Sequence, residues 1–301
     1  MTDNDDTNLD ALVDTGWVAA HLDDPTVRLV EADIDTQLYA AGHIPGAVAL
    51  DWRTDLQSQR IRDVVSGSEL EALLAARGIA SDTTVVFYGD RSNRYAACAY
   101  WLFKLYGHRD CRIMDGGRTK WEAEGRPFSH ATPDYPHSDY QAEAADLAIR
   151  AFRDQTLAQI FAGLPLVDVR SREEYAGIPA SGHPVRRPLG TDDDPHASAQ
   201  RAGHIPTARN VPWTAAINAD GTFRTATELR EIYRQQGICP DQPVITYSRI
   251  GARSAHSWFV LHELLGYPQV RNYDGSWSEW GSLVRAPIAW EEFDGSHRET
   301  P

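Results

Sequence analysis

The chain has 301 residues, which at roughly 150 residues per domain is enough for two domains. Its composition, 42% apolar and 24% charged, is that of a protein with a real core. Asp and Glu number 43 against 29 Lys and Arg, a net charge of −14, which excludes a binder that grips nucleic-acid phosphates with a basic face. The longest apolar stretch runs nine residues, from Tyr95 to Phe103. A membrane span needs about 20, so no membrane partner is expected either.

The acidic start, Met1-Thr2-Asp3-Asn4-Asp5-Asp6, has neither the basic-then-apolar order of a secretory leader nor the Arg-rich character of an organelle presequence, and a cytoplasmic location is expected. Three cysteines, Cys98, Cys111 and Cys239, lie far apart without a CxxC pair or a nearby histidine cluster. They support neither a disulfide framework nor a zinc site, so no metal and no cofactor are expected. Cys98, inside an apolar helical stretch, reads as a small buried residue.

In chain order, 27–32 reads as a short apolar strand and 84–88 as a β-branched and aromatic strand. A helix follows over 95–106 and stops at Gly107. A second short strand, 111–114, ends in the turn Asp115-Gly116-Gly117. Residues 124–146 carry Pro127, Pro133 and Pro136 among few apolar residues and read as a linker. The order then repeats: strand 166–169, strand 244–247, helix 252–265 stopped by Gly266, strand 270–273, turn Asp274-Gly275. A Gly/Pro/Asp-rich insertion at 177–199 is too long for a turn, and reads as a lid or as a surface excursion.

The repetition is also literal. Gly42-His43-Ile44-Pro45 returns as Gly203-His204-Ile205-Pro206, and from Val85/Val244 to Trp121/Trp280 the two copies align without a gap, 11 of 37 positions being identical. Unrelated segments would share roughly 2 at average residue usage. Strand, helix, strand in series implies parallel pairing with crossover helices. The expected architecture is therefore α/β with two tandem domains, each a parallel sheet flanked by helices. Their expected bounds are 1–125 for the first, 126–149 for the linker and 150–290 for the second, with a tail at 291–301.

Ligands of open α/β sheets sit outside the carboxyl ends of the strands. After the strand at 244–247 comes Ser248-Arg249-Ile250-Gly251-Ala252-Arg253, which runs into a helix. Such a loop turns backbone N–H groups and the positive end of a helix dipole toward one point, and two arginines add to that field. It suits an anion or a side chain that must ionise. Surface salt bridges are the plain alternative for Arg249 and Arg253. The corresponding loop of the first copy, Gly89-Asp90-Arg91-Ser92-Asn93-Arg94, has no thiol, and Asp90 would repel an anion.

The chain resembles the rhodanese family of sulfurtransferases in its tandem form, over roughly residues 10–290. The GHIP(G/T)A segments, DVRSxxEY from Asp168 to Tyr175, DGSWxEWG from Asp274 to Gly281, and YxRIGxRS from Tyr247 to Ser254 carry the resemblance. The last of these is similar to the loop of actinobacterial-type thiosulfate-sulfurtransferase-like members. The resemblance implies that the first loop residue is the position of a cysteine whose thiolate becomes a persulfide and passes its sulfur to a thiophilic acceptor such as cyanide or a thiol. It also implies a structural first domain that closes one side of the site. Four residues separate Ser248 from Arg253, the short loop that cradles sulfur; phosphatases of the same fold carry one residue more.

Here the family pattern is broken at the reacting atom, because position 248 is serine. A hydroxyl ionises far above a thiol and needs a base, and it forms no persulfide. His256 is the one histidine near in sequence and is expected to point away from the loop mouth; no GxSxG elbow is evident. Sulfur transfer is therefore expected to be absent in this chain. The otherwise intact loop fits replacement of a cysteine in an active enzyme better than drift, while a natural anion- or partner-binding pseudoenzyme stays open. A cation directly after the nucleophile position, Arg249, resembles thiosulfate-using members; mercaptopyruvate-using members, the alternative, tend to have a small neutral residue there. Glu174 stands where an arginine is found in both mammalian types, and Arg186 or Arg187 of the insertion could supply the missing charge. His43 and His204 are expected to build their turns, Asp115 and Asp274 to turn the chain after a strand, and Trp121, Trp277 and Trp280 to be core or interface aromatics.

Overall fold

The computed structural model describes residues 11–177 and 199–290. The first sheet contains β1 (Leu12–Val13), β2 (Val27–Asp33), β3 (Val48–Asp51), β4 (Thr84–Tyr88) and β5 (Cys111–Met114), all parallel, in the order β1-β5-β4-β2-β3. Its helices are α1 (Thr15–Ala20), α2 (Gln37–Ala41), α3 (Gly67–Ala76), α4 (Asp90–Leu105) and α5 (Gly117–Ala123). The second unit has α6 (Arg153–Phe161), α7 (Arg172–Ala176), α8 (Ala226–Gln235), α9 (Ala252–Phe259) and α10 (Ser276–Trp280). Its sheet, also parallel, joins β6 (Leu166–Asp168), β7 (Arg209–Asn210), β8 (Val244–Tyr247) and β9 (Val270–Tyr273) in the order β7-β6-β8-β9. Strands buried on both faces read as continuous apolar runs, which is why β4 and β8 stand out in the sequence.

Two helices differ from expectation. α4 is entered through a turn with left-handed backbone at Arg91, Ser92 and Asn93, so its right-handed part starts at Arg94, one residue ahead of the expected start. The helix expected over 252–265 is α-helical only to Phe259 and continues as a π-helical turn, Val260–Leu264.

Both copies lock the Gly-His-Ile-Pro turn with a buried tyrosine, a carboxylate and an arginine. In the first, the Tyr88 hydroxyl donates to Glu31 at 2.6 Å and accepts the Ile44 N–H, while Arg118 pairs with Glu31 at 2.7 Å and donates to the Gly42 carbonyl. In the second, Tyr247 donates to Asp168 at 2.7 Å and accepts from Ile205, while Arg170 pairs with Asp168 and donates to the Gly203 carbonyl. His43 and His204 stack on Tyr39 and Tyr175, each with Nδ1 against that tyrosine's carbonyl. They build the turns. Trp121 and Trp280 are buried and donate to the Pro127 and Pro287 carbonyls. Trp277 is buried as well, so all three tryptophans are core.

One apolar core runs through both units. α4 lies against α9, with the Tyr100 ring edge-on to Phe259 at 4.9 Å and tilted to Trp258 at 6.5 Å. Each such buried ring contributes on the order of 2–3 kcal/mol by leaving water. Trp101 donates across the seam to the Ile149 carbonyl. Asp115 and Asp274 act across it too: Asp115 accepts from the Phe223 N–H, and Asp274 accepts two bonds from Arg150, whose guanidinium also holds Asp63. The segment after residue 125 is strapped to the first unit by Tyr135 on the Gly46 carbonyl and Ser138 on the Ile79 carbonyl.

Candidate active site

The loop between β8 and α9 sits at the carboxyl edge of the second sheet, beside the seam. Gly251 takes left-handed backbone, φ 92°, and a Cβ there would lie 2.9 Å from the Asp274 backbone, so only glycine lets the loop close on the turn after β9. That turn supports the loop directly: Trp277 N–H donates to the Ser248 carbonyl and Ser278 N–H to the Arg249 carbonyl, both at 3.0 Å. The Ser248 N–H donates to Ser276 Oγ at 3.0 Å. The first unit reaches the same turn through Arg62, which donates to the Gly275 carbonyl and to Ser278 Oγ. Loop, turn and first unit thus meet in one place.

Ser248 is fully buried, its Oγ accepting from the Gly251 N–H at 3.1 Å and lying 3.3 Å from Ser254 Oγ. Arg249 is 6% exposed and Ala252 is buried, while Ile250 is half-buried against the shared core. Arg253 is engaged with Glu174 of α7, Nη1 to Oε2 at 2.8 Å. Burial would raise the Glu174 carboxyl, but Arg253 and then Arg170 outweigh it and hold the group below the usual carboxylate range. Glu174 also caps α7, accepting from the Ser171 N–H. The glutamate that breaks the expected arginine pattern is therefore the partner of a loop arginine, a pairing invisible in a motif. Arg186, Arg187 and most of the 177–199 insertion lie outside the described residues.

His256 is fully buried, stacked on Phe223 at 5.0 Å and edge-on to Trp213 at 5.1 Å. Burial, then the nearby Arg94 charge, depresses its imidazole to about 3. Neither ring nitrogen has a hydrogen-bond partner among the described residues. It is not placed to serve Ser248 as a base. Cys98 is buried, and burial pushes its thiol up to about 12; Cys111 is pushed up likewise. Neither suits nucleophilic work. Among the described residues no cluster of His, Cys, Asp and Glu could hold a metal ion, and no helix is long and apolar enough to cross a membrane.

Residues 14–124 and 152–283 each match the rhodanese-like domain. The chain is 50% identical to the sulfur carrier protein TtuD of Thermus thermophilus, over 93% of this chain and 96% of that one. It is 48% identical to a "Putative thiosulfate sulfurtransferase" of Haloferax volcanii, covering 95% and 98% of the two chains. Among solved structures, SseA of Escherichia coli, described under 3-mercaptopyruvate sulfotransferases, superposes with a TM-score of 0.73 over 89% of this chain and 98% of that one. At 23% identity, that likeness is one of fold.

Proposed function

The chain belongs to the rhodanese-like family, with two copies of the domain, and on that footing we propose that its second loop is a thiosulfate sulfurtransferase site whose nucleophile position holds Ser248. The observation that supports this best is the buried side chain at 248, held over the Gly251 N–H at the start of α9, with Arg249 next to it. A thiolate there would attack the outer sulfur of thiosulfate; sulfite leaves with the S–S electron pair and a persulfide remains. Cyanide then takes the outer sulfur as thiocyanate and the thiolate returns. Serine cannot run this cycle, since its oxygen forms no persulfide and, among the described residues, His256 is not placed to serve it as a base.

The anion-binding half of the chemistry needs no sulfur nucleophile. The loop, the helix N-terminus and Arg249 remain, and charge-assisted hydrogen bonds contribute about 1.5–3 kcal/mol each. The chain as it stands is thus read as a weak binder of thiosulfate or sulfite. Thiosulfate is favoured over 3-mercaptopyruvate because a cation follows position 248. Ser248→Cys should produce thiocyanate from thiosulfate and cyanide, while the serine chain produces none. Equal turnover by the two proteins would place the nucleophile elsewhere.

A further inference from the structure

The gap-free alignment of the two copies makes the first domain an internal control for the second. Behind the second loop stand three polar residues, Thr246 on β8, Ser254 on α9 and Asn272 on β9, all fully buried. Their counterparts at the same alignment offset are Phe87, Tyr95 and Ile113, equally buried in the first domain. The fold accepts an apolar side chain at two of the places and a large aromatic one, Tyr95, at the third. Burying polar groups instead is costly unless they are hydrogen-bonded to one another, and here they are. Ser254 Oγ lies 2.7 Å from Asn272 Oδ1, 2.9 Å from the Gly251 carbonyl and 3.3 Å from Ser248 Oγ. Thr246 Oγ1 donates to the Ser254 carbonyl at 3.1 Å.

Ser254 has one proton and more than one acceptor. With Ser248 a neutral hydroxyl, Ser254 can accept from it and donate its own hydrogen bond to Asn272 Oδ1. An ionised atom at 248 can only accept, and a rotation of the Ser254 hydroxyl then supplies a second donor beside the Gly251 N–H. We propose that Ser254, whose proton rests on Asn272, is the buried hydrogen-bond partner of the reacting atom at position 248 and donates to it when that atom carries negative charge. This rests on the reading of 248 as the nucleophile position.

The test is made in full-length Ser248→Cys protein, with and without Ser254→Ala. Iodoacetamide labelling at position 248 is followed against pH by peptide mass spectrometry, which separates it from Cys239. The parent should label with a midpoint below that of an ordinary thiol. Loss of the Ser254 donor should move the midpoint up by about one pH unit and cut labelling and sulfur transfer below it roughly 10-fold, in protein shown to be folded at the assay temperature. Where Ser254→Ala folds poorly, Asn272→Ala removes the acceptor that competes for the Ser254 proton and should move the midpoint the opposite way, down, by less. An unshifted midpoint in the folded variants overturns the role of Ser254 while leaving the site intact. A Ser248→Cys protein with an ordinary thiol midpoint and no thiocyanate production overturns both readings.

Discussion

The loops after β4 and β8 descend from one segment and now differ in the sign of the charge at their second residue. At the second, Arg249 follows the buried side chain of Ser248. At the first, Gly89 takes the place of Ser248 and Asp90 that of Arg249. A Cβ on Gly89 would lie 2.6 Å from the Ala32 carbonyl oxygen, so no side chain fits where the second loop needs one. Asp90 donates its N–H to Asp33, and its carboxyl lies against that of Asp33. Burial, then the hydrogen bond and repulsion from Asp90, pushes Asp33 up to about 9, so the pair keeps a proton at neutral pH. The support is exchanged as well: Ser248 N–H donates to the Ser276 hydroxyl, whereas Gly89 N–H donates to the Asn93 side chain, against which a Cβ on Gly117 would clash. The same strand and helix thus flank two different loops. One enters its helix through three left-handed residues and closes on a carboxyl pair; the other turns at a single left-handed glycine and is proposed to hold an anion.

The largest contrast is all-or-none. Thiocyanate production should appear with Ser248→Cys and not with Gly89→Cys, and Gly89→Cys should also lower the melting temperature, because its Cβ has no room. Turnover by Gly89→Cys would show that the two loops remain interchangeable.

The loop arginines should separate next. Arg249→Ala is expected to weaken thiosulfate binding on the order of 10-fold, read by calorimetric titration. Arg253→Ala strands the Glu174 carboxylate and should cost about 1–3 kcal/mol in denaturant unfolding. The distinction between the two arginines collapses if both variants bind and unfold alike.

Smaller effects lie in the pH dependence. Asp33 holds its proton in the folded chain up to about 9 but releases it near 3.8 when unfolded, so its contribution is present below about 4 and is lost as pH rises toward 9. Asp33→Asn should flatten stability over that window and raise it at the alkaline end, as followed by unfolding from pH 4 to 9. His256 has the opposite sign: ordinarily 6.5 and depressed to about 3 when folded, it contributes above 6.5 and the contribution is lost as pH falls toward 3. His256→Phe should flatten the acid side, and a pH profile unchanged by either substitution would remove these groups from the account.

Much of this was legible in the sequence because it is written in local pattern. The apolar runs of β4 and β8, the helix stops at Gly107 and Gly266, and the repeated turns all follow from neighbouring residues. β1 and β7 are two residues each and carry no pattern to detect. The left-handed entry to α4 uses Arg91, Ser92 and Asn93, where glycine would have been the usual signal. Around the site, the loop itself was readable, but its partners come from afar in sequence: Glu174 from α7, Asn272 from β9 and Arg62 from the first unit. Each is an ordinary polar residue until the fold brings it to the loop.

The shared core has a consequence for how such a chain can change over generations. Tyr100 of one copy fits against Phe259 and Trp258 of the other, so a change of volume on either side is a misfit until the facing residue answers it. After a duplication, a loop can change its residues without upsetting the seam, as Gly89 in the place of Ser248 illustrates. Shape along α4 has no such freedom. The first half is therefore expected to drift fastest at its loop and slowest on the helix that faces its twin, so that its ancestry stays legible there longest.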